Sequence, residues 1–317
     1  MKSIAVLAPK GCPLTSVSGP LEMLMLANAR SERTRRLELA LVSADTAAIA
    51  CQGGFQLQGH IGLDDQTQYD CVVIGAIGPP NKESLSFDPA TVQWLIRQHQ
   101  GGARLVSICT GAFLLAATGL LDGRRATTHW AMASVFTQLY PLVLLDPAQM
   151  VTMDQTLWCS GGASSYQDIT LLLIRDYYGD AVAEQVAKLV LIDLDRTSQL
   201  KYMHFIPARQ HQDEIIHQVQ NRLEEDWRSA SVVSLAEGVH LSERQFKRRF
   251  KQATGLSPLE YLQAVRIEHA KRALAHSQTG IEQVALSVGY EDVRFFRKLF
   301  KRQVGVSPSE FRDKSRF

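Results

Sequence analysis

The stretch SICTGAFLLAATGLLDGRRATTHW, residues 107–130, places Cys109 between an apolar run and a small-residue helix, with His129 twenty positions on. A strand that turns sharply into a helix exposes the side chain at the turn beside the free amides of the helix start, the geometry of a nucleophile elbow. Those amides are expected to lower the thiol pKa. His129 offers a base, and Glu22, from the first loop at the same end of a parallel sheet, can hydrogen-bond the thiol. Thr110 follows the thiol, and Trp130 can wall a pocket for a cationic ligand through its ring face. Gly161-Gly162 precedes a long helix, where exposed amides either hold an anion or make a plain turn. The expected ligand site is therefore Glu22, Cys109, Thr110, His129, Trp130, Gly161 and Gly162. Three uses of the elbow stay open: a pocket without turnover, residual cysteine chemistry, or a buried structural thiol.

A second chemistry is electrostatic. Residues 246–261 read FKRRFKQATGLSPLEY and residues 296–311 read FRKLFKRQVGVSPSEF, identical at seven of sixteen positions. At about 100° per residue, Phe246, Phe250 and Ala253 share one helix face, and Arg244, Lys247, Arg248 and Lys251 lie opposite. In the second copy Phe296, Leu299 and Phe300 oppose Arg294, Arg297, Lys298 and Lys301. A glycine stops each helix (Gly255, Gly305), and Ser-Pro starts the next. A shorter helical stretch and a turn precede each copy, in residues 232–242 and 281–292, which makes two helix-turn-helix units. The second helix of such a unit fits the DNA major groove. Glu243 and Asp292, at the starts of the basic helices, suit the helix dipole. Residues 259–276 predict one connecting helix of about 27 Å, comparable with the ~34 Å turn of a duplex. Two recognition helices on one connector can enter successive major grooves of double-stranded DNA.

Residues 1–190, which carry the elbow, alternate strand and helix signals: 3–8, 37–44, 71–76 and 103–108 as strands, 20–30, 90–100 and 164–179 as helices. That pattern predicts an α/β domain with a mainly parallel, flavodoxin-like sheet. Residues 191–211 lack a clear period and read as a linker, and residues 212–317 read as all-α. At 317 residues, two domains are expected. Residues 240–317 hold 16 Lys/Arg against 8 Asp/Glu, and the remainder 18 against 24, so the basic end is the nucleic-acid end. No apolar run nears the ~18–20 residues of a membrane span, and the N-terminal stretch breaks at Pro9-Lys10, too early for a signal-peptide core. A cytoplasmic protein without membrane contact is expected. Five scattered cysteines without a CxxC pair argue against a disulfide framework or zinc site. With no Walker-type loop, dinucleotide fingerprint or metal constellation in view, no metal and no cofactor are expected.

Residues ~212–317, with both units, resemble the AraC/XylS DNA-binding domains. The resemblance implies base-reading at Arg244, Lys247, Arg248, Arg294, Arg297 and Lys298. Residues ~1–185 resemble the class I amidotransferase-like fold in its ThiJ/PfpI branch, and the combination is similar to the GlxA-type group of AraC-family regulators. This implies an effector pocket near the elbow, dimerisation through the N-terminal domain, contact with RNA polymerase, and activation of catabolic genes. Effectors in such a group are often amino acids or quaternary nitrogen compounds. A glutamine amidotransferase needs an acid two residues after its histidine, where this chain has Ala131, and Ser107 replaces the first glycine of the G-x-nucleophile-x-G pattern. A non-enzymatic regulator is the first expectation. The alternatives are a cysteine-dependent amidase or hydrolase of the PfpI type, and a thiol sensor oxidised at Cys109.

Overall fold

The computed structural model describes residues 1–44, 48–59, 61–81, 84–193 and 196–315. The chain divides into two compact units after Gln199. In the first, β1 (Ser3–Leu7) leads through α1 (Thr15–Arg30) to β2 (Glu38–Val42). A hairpin of β3 (Ala48–Ala50) and β4 (Gln56–Gln58) turns at Gly53-Gly54. Then come β5 (Cys71–Ile74), α2 (Pro89–Gln100), β6 (Arg104–Ile108) and α3 (Gly111–Ala117). β7 (Arg125–Ala126), α4 (Ala133–Leu139) and β8 (Leu144–Leu145) follow, before β9 (Val151–Asp154), β10 (Leu157–Ser160), α5 (Tyr166–Tyr178) and α6 (Asp180–Leu189).

Six strands form one sheet in the order β2-β1-β5-β6-β10-β9, parallel except for the β10–β9 pair. Because side chains alternate across a strand, the buried runs feed two cores. Ile4, Val6, Val73, Val106 and Ile108 pack on one face with Val17 and Leu24 of α1 and Ile169 and Leu173 of α5. Ala5, Leu7, Val72, Ile74 and Leu105 pack on the other with Trp94 of α2, Phe113 of α3 and Phe136 of α4.

Two boundaries differ from the sequence reading. Helix α1 begins five residues before Pro20, which is carried inside it. Its start is fixed by Ser16, whose Oγ donates to Pro13 O (2.7 Å) and accepts from Ala76 N (3.0 Å), and by fully buried Val17. The predicted linker 191–211 has no helix or strand among its described residues, but it is fastened to the first unit as far as Gln199. Met150 N donates to Thr197 O (3.1 Å), Gln199 N to Ala148 O (2.8 Å), and Gln199 is buried in the first unit. Beyond the division, Phe205 packs against the core of the second unit.

The second unit is helical: α7 (Glu214–Glu225), α8 (Val232–Glu237), α9 (Glu243–Thr254), α10 (Pro258–His276), α11 (Ile281–Ser287), α12 (Val293–Val304) and α13 (Pro308–Lys314). One core runs through it, from Phe246 and Phe250 of α9, through Tyr261, Ile267 and Leu274 of α10, to Phe296, Leu299 and Phe300 of α12. Gly255 and Gly305 end α9 and α12 in left-handed conformation (φ 78° and 81°), and Ser257 and Ser307 cap the following helices in capping boxes with Glu260 and Glu310.

Candidate functional site

The elbow forms as its sequence predicts. Cys109 is held at φ 55°, a left-handed conformation that costs a non-glycine residue of order 1–3 kcal/mol. Its N–H donates to Ser160 O and its carbonyl accepts from Thr128 Oγ1, both at 3.0 Å. At the start of α3, a Cβ on Gly111 would come within 2.6 Å of Gly75 O, so only glycine lets the helix approach this closely. Thr110 Oγ1 accepts from Ile77 N at 3.2 Å.

A cavity of about 220 Å³ opens beside the thiol. Cys109, Thr110 and His129 line it, so three of the predicted residues meet there. Thr15, Ser16 and Gln52 add polar groups, and Pro13, Ala76, Pro79 and Met132 make apolar wall. Among the described residues the lining has no lysine, arginine or carboxylate.

The thiol departs from expectation. Burial pushes the Cys109 pKa up to about 11, overriding the downward pull of the Thr110 amide and hydroxyl. Burial also lowers the His129 pKa. His129 Nδ1 accepts from Ala131 N at 3.2 Å, which leaves the proton of the neutral ring on Nε2. At neutral pH the pair is thiol and imidazole, not thiolate and imidazolium.

The other four predicted residues are not on the lining. Glu22 lies in the body of α1 and is exposed, because the helix starts at Thr15; Ser16 faces the cavity in its place. Trp130 is half-buried, tilts against the His129 ring (centroids 5.5 Å apart), and its amide points at Gln199 Oε1 (3.4 Å). Gly161 donates its amide to Met150 O (2.8 Å), and a Cβ there would collide with the Gln199 side chain. Gly162 O accepts from Ser165 N (2.9 Å), so the glycine pair serves as the turn into α5. Sequence reasoning missed Gln199. Its Nε2 donates to Thr128 O (2.9 Å), Pro147 O (3.0 Å) and Gln149 O (3.0 Å), holding the loop that presents His129. No local signal marks it, since every partner is about fifty or more positions away in the chain.

In the second unit, all eight predicted cations are exposed and the phenylalanines beneath them are buried. Lys247 pairs with Glu243 along α9 at 2.6 Å, and Arg297 of α12 reaches Glu282 of α11 at 2.6 Å. Among the described residues the other six form no ion pair. The α9 cap is Ser242, with Glu243 in the first turn; Asp292 caps α12, accepting from Arg294 N (2.8 Å) and Phe295 N (3.0 Å). Helix α10 has 19 residues, about 28 Å at ~1.5 Å each. Its Arg266 donates to Trp227 O (3.2 Å), Arg228 O (2.8 Å), Ala230 O (3.0 Å) and Gly289 O (3.4 Å). One guanidinium thus ties the segment before the first helix-turn-helix unit to the turn of the second.

The model of the DJ-1/PfpI family matches residues 2–175, more than half of the chain. The chain belongs to the DJ-1/PfpI family. A helix-turn-helix domain model matches residues 235–314 beyond the DJ-1/PfpI domain. The HTH-type transcriptional regulator GbdR of Pseudomonas aeruginosa is 26% identical, over 98% of this chain and 84% of its own. The HTH-type transcriptional regulator GlxA of Rhizobium meliloti is 26% identical, over 99% and 97%. The isonitrile hydratase of Pseudomonas putida is 32% identical over 154 residues, 47% of this chain and 64% of its own. The chain thus has the architecture of an AraC-type DNA-binding transcription regulator, a DJ-1/PfpI domain followed by the double helix-turn-helix unit. The same N-terminal fold also occurs in an enzyme. No helix among the described residues is long and apolar enough to cross a membrane.

Proposed function

We propose that this chain is a one-component regulator in which a small, uncharged metabolite enters the cavity at Cys109, Thr110 and His129 and sets how α9 and α12 engage promoter DNA. The observation that carries the DNA half is the pair of exposed cationic helices on one core, with Arg266 fixing the joint between them. Arg244, Lys247, Arg248 and Lys251 work in one groove, and Arg294, Arg297, Lys298 and Lys301 in the next. The effector class follows from the lining. Among the described residues the wall carries no charge and lacks the Trp130 face, so a carboxylate or a quaternary ammonium group would meet only uncharged polar partners there. This argues against amino acids and quaternary compounds as occupants of this cavity. Cytoplasmic location belongs to the same reading; dimerisation through the DJ-1/PfpI domain, contact with RNA polymerase and activation of catabolic genes belong to it as well and rest on the resemblance.

The full-length protein should enrich a specific fragment from its own genome. Joint replacement of Lys247 and Arg248 by alanine should abolish that enrichment without changing the melting temperature. Equal recovery of all fragments would overturn the proposal.

A second reading, cysteine hydrolysis, is favoured by one observation: a left-handed Cys109 shares a cavity with His129. The raised thiol pKa opposes it. Against the ordinary value of 9.0, a pKa of about 11 leaves about a hundredfold less thiolate at neutral pH. Iodoacetamide should therefore label Cys109 slowly at pH 7.5, with the rate still climbing at pH 10. A labelling rate that levels off below pH 8, or isonitrile or amide turnover lost in Cys109→Ser, would revive the enzyme.

A further inference from the structure

Among the described phenylalanines of the second unit, Phe205 and Phe311 are half-buried, and Phe246, Phe250, Phe296 and Phe300 are buried. Phe295 stands apart, 45% exposed. It occupies the first turn of α12, next to Arg294, and its amide is tied to the Asp292 cap. The N-terminal residues of a recognition helix are the ones that reach base edges. One side of the ring rests on Tyr290, with centroids 5.9 Å apart, which restricts its rotamers; the exposed remainder faces water. Beside Arg294 in the chain and three residues before Lys298, an exposed ring adds little to the fold and nothing to phosphate attraction. The corresponding position of α9 is Gln245, and its side chain is already engaged, accepting from Ser242 N (3.3 Å) and Ser242 Oγ (2.8 Å). The two recognition helices therefore offer different chemistry at the same place. In the major groove, the apolar feature that distinguishes one base from the others is the thymine 5-methyl group.

We propose that Phe295 is a specificity-determining residue that packs against a thymine methyl in the groove read by α12, a role resting on the DNA-binding reading above. The Arg and Lys neighbours then bind guanine or phosphate, and Phe295 makes the second half-site select for thymine at one position.

The test uses the full-length protein and duplexes recovered by repeated selection from a random library. Each thymine of the selected site is replaced in turn by deoxyuridine, which removes only the methyl group. One such replacement should weaken wild-type binding about fourfold, the worth of one buried methyl. The same replacement should leave Phe295→Ala binding unchanged and still weaken Phe295→Leu. If no thymine shows methyl dependence, or if Phe295→Ala shows the same dependence as wild type, the inference is wrong and the DNA-binding reading stands. If selection enriches no sequence, both fall.

Discussion

Helices α9 and α12 carry four cations at matching positions, but they are launched differently. In the first unit the turn passes through His240 at φ 54°, and in the second through Gly289 at φ 83°. The turn hydrogen bonds show where the repeat slips. His240 N donates to Glu237 O (3.0 Å) and Leu241 N to Ala236 O (3.1 Å), whereas Gly289 N donates to Leu286 O (3.0 Å) and Tyr290 N to Ala285 O (2.9 Å). The turns are thus forty-nine residues apart and the basic helices fifty, because the second unit holds one extra residue between turn and cap. That residue is what allows Tyr290 to sit under Phe295. The lesson is that one repeated helix can be given two recognition surfaces by changing its approach together with a residue of its first turn, Gln245 in α9 and Phe295 in α12.

The largest expected effect comes from breaking the joint. Replacing Arg266 by methionine removes the hydrogen bonds that join the segment before the first unit to the turn of the second. Affinity for a two-groove site should fall by about 100-fold or more, the usual gain from rigidly linked modules, while binding to an isolated half-site is kept. Anisotropy titrations on the two duplexes separate this from simple unfolding, which would lose both. Next is the turn itself. A Cβ at Gly289 would meet Arg228 O at 2.9 Å as well as adopting positive φ, so Gly289→Ala should destabilise the second unit by about 2–3 kcal/mol. The reciprocal change, His240→Gly, relieves strain at some cost in chain entropy and should be neutral or stabilising by up to about 1 kcal/mol. Denaturant melts of the two variants check the contrast, and equal responses would mean that the turns are equivalent after all. The smallest effect concerns the acids that hold two cations in reserve. Glu282→Gln frees Arg297 from an exposed ion pair and should raise non-specific DNA affinity about twofold at low salt, with the difference vanishing as salt rises.

The C-terminal unit was the more legible because its signals are local. A glycine stop, a Ser-Pro restart and a phenylalanine every third or fourth residue each act within one turn, and the sequence displays them twice. The elbow at Cys109 was legible for the same reason. Other features depended on distant parts of the chain. Glu22 was misplaced because Pro20 resembles a helix start, whereas buried Val17 and the Ser16 bonds begin α1 earlier. The thiol pKa followed burial by neighbours from several elements, which outweighed the adjacent amides. Trp130 and the Gly161-Gly162 turn read as candidate ligand groups, but both lie against Gln199, sixty-nine and about forty residues away respectively.

Gln199 is the last residue of the DJ-1/PfpI unit, and its amide grips the strand-like loop that carries His129. Under the proposed function, a ligand that moves His129 would act on these bonds at the last residue before the second unit. A chain fastened at its very threshold works like a bell-pull, and cutting it at Gln199→Met should leave a protein that still holds DNA yet no longer hears its ligand.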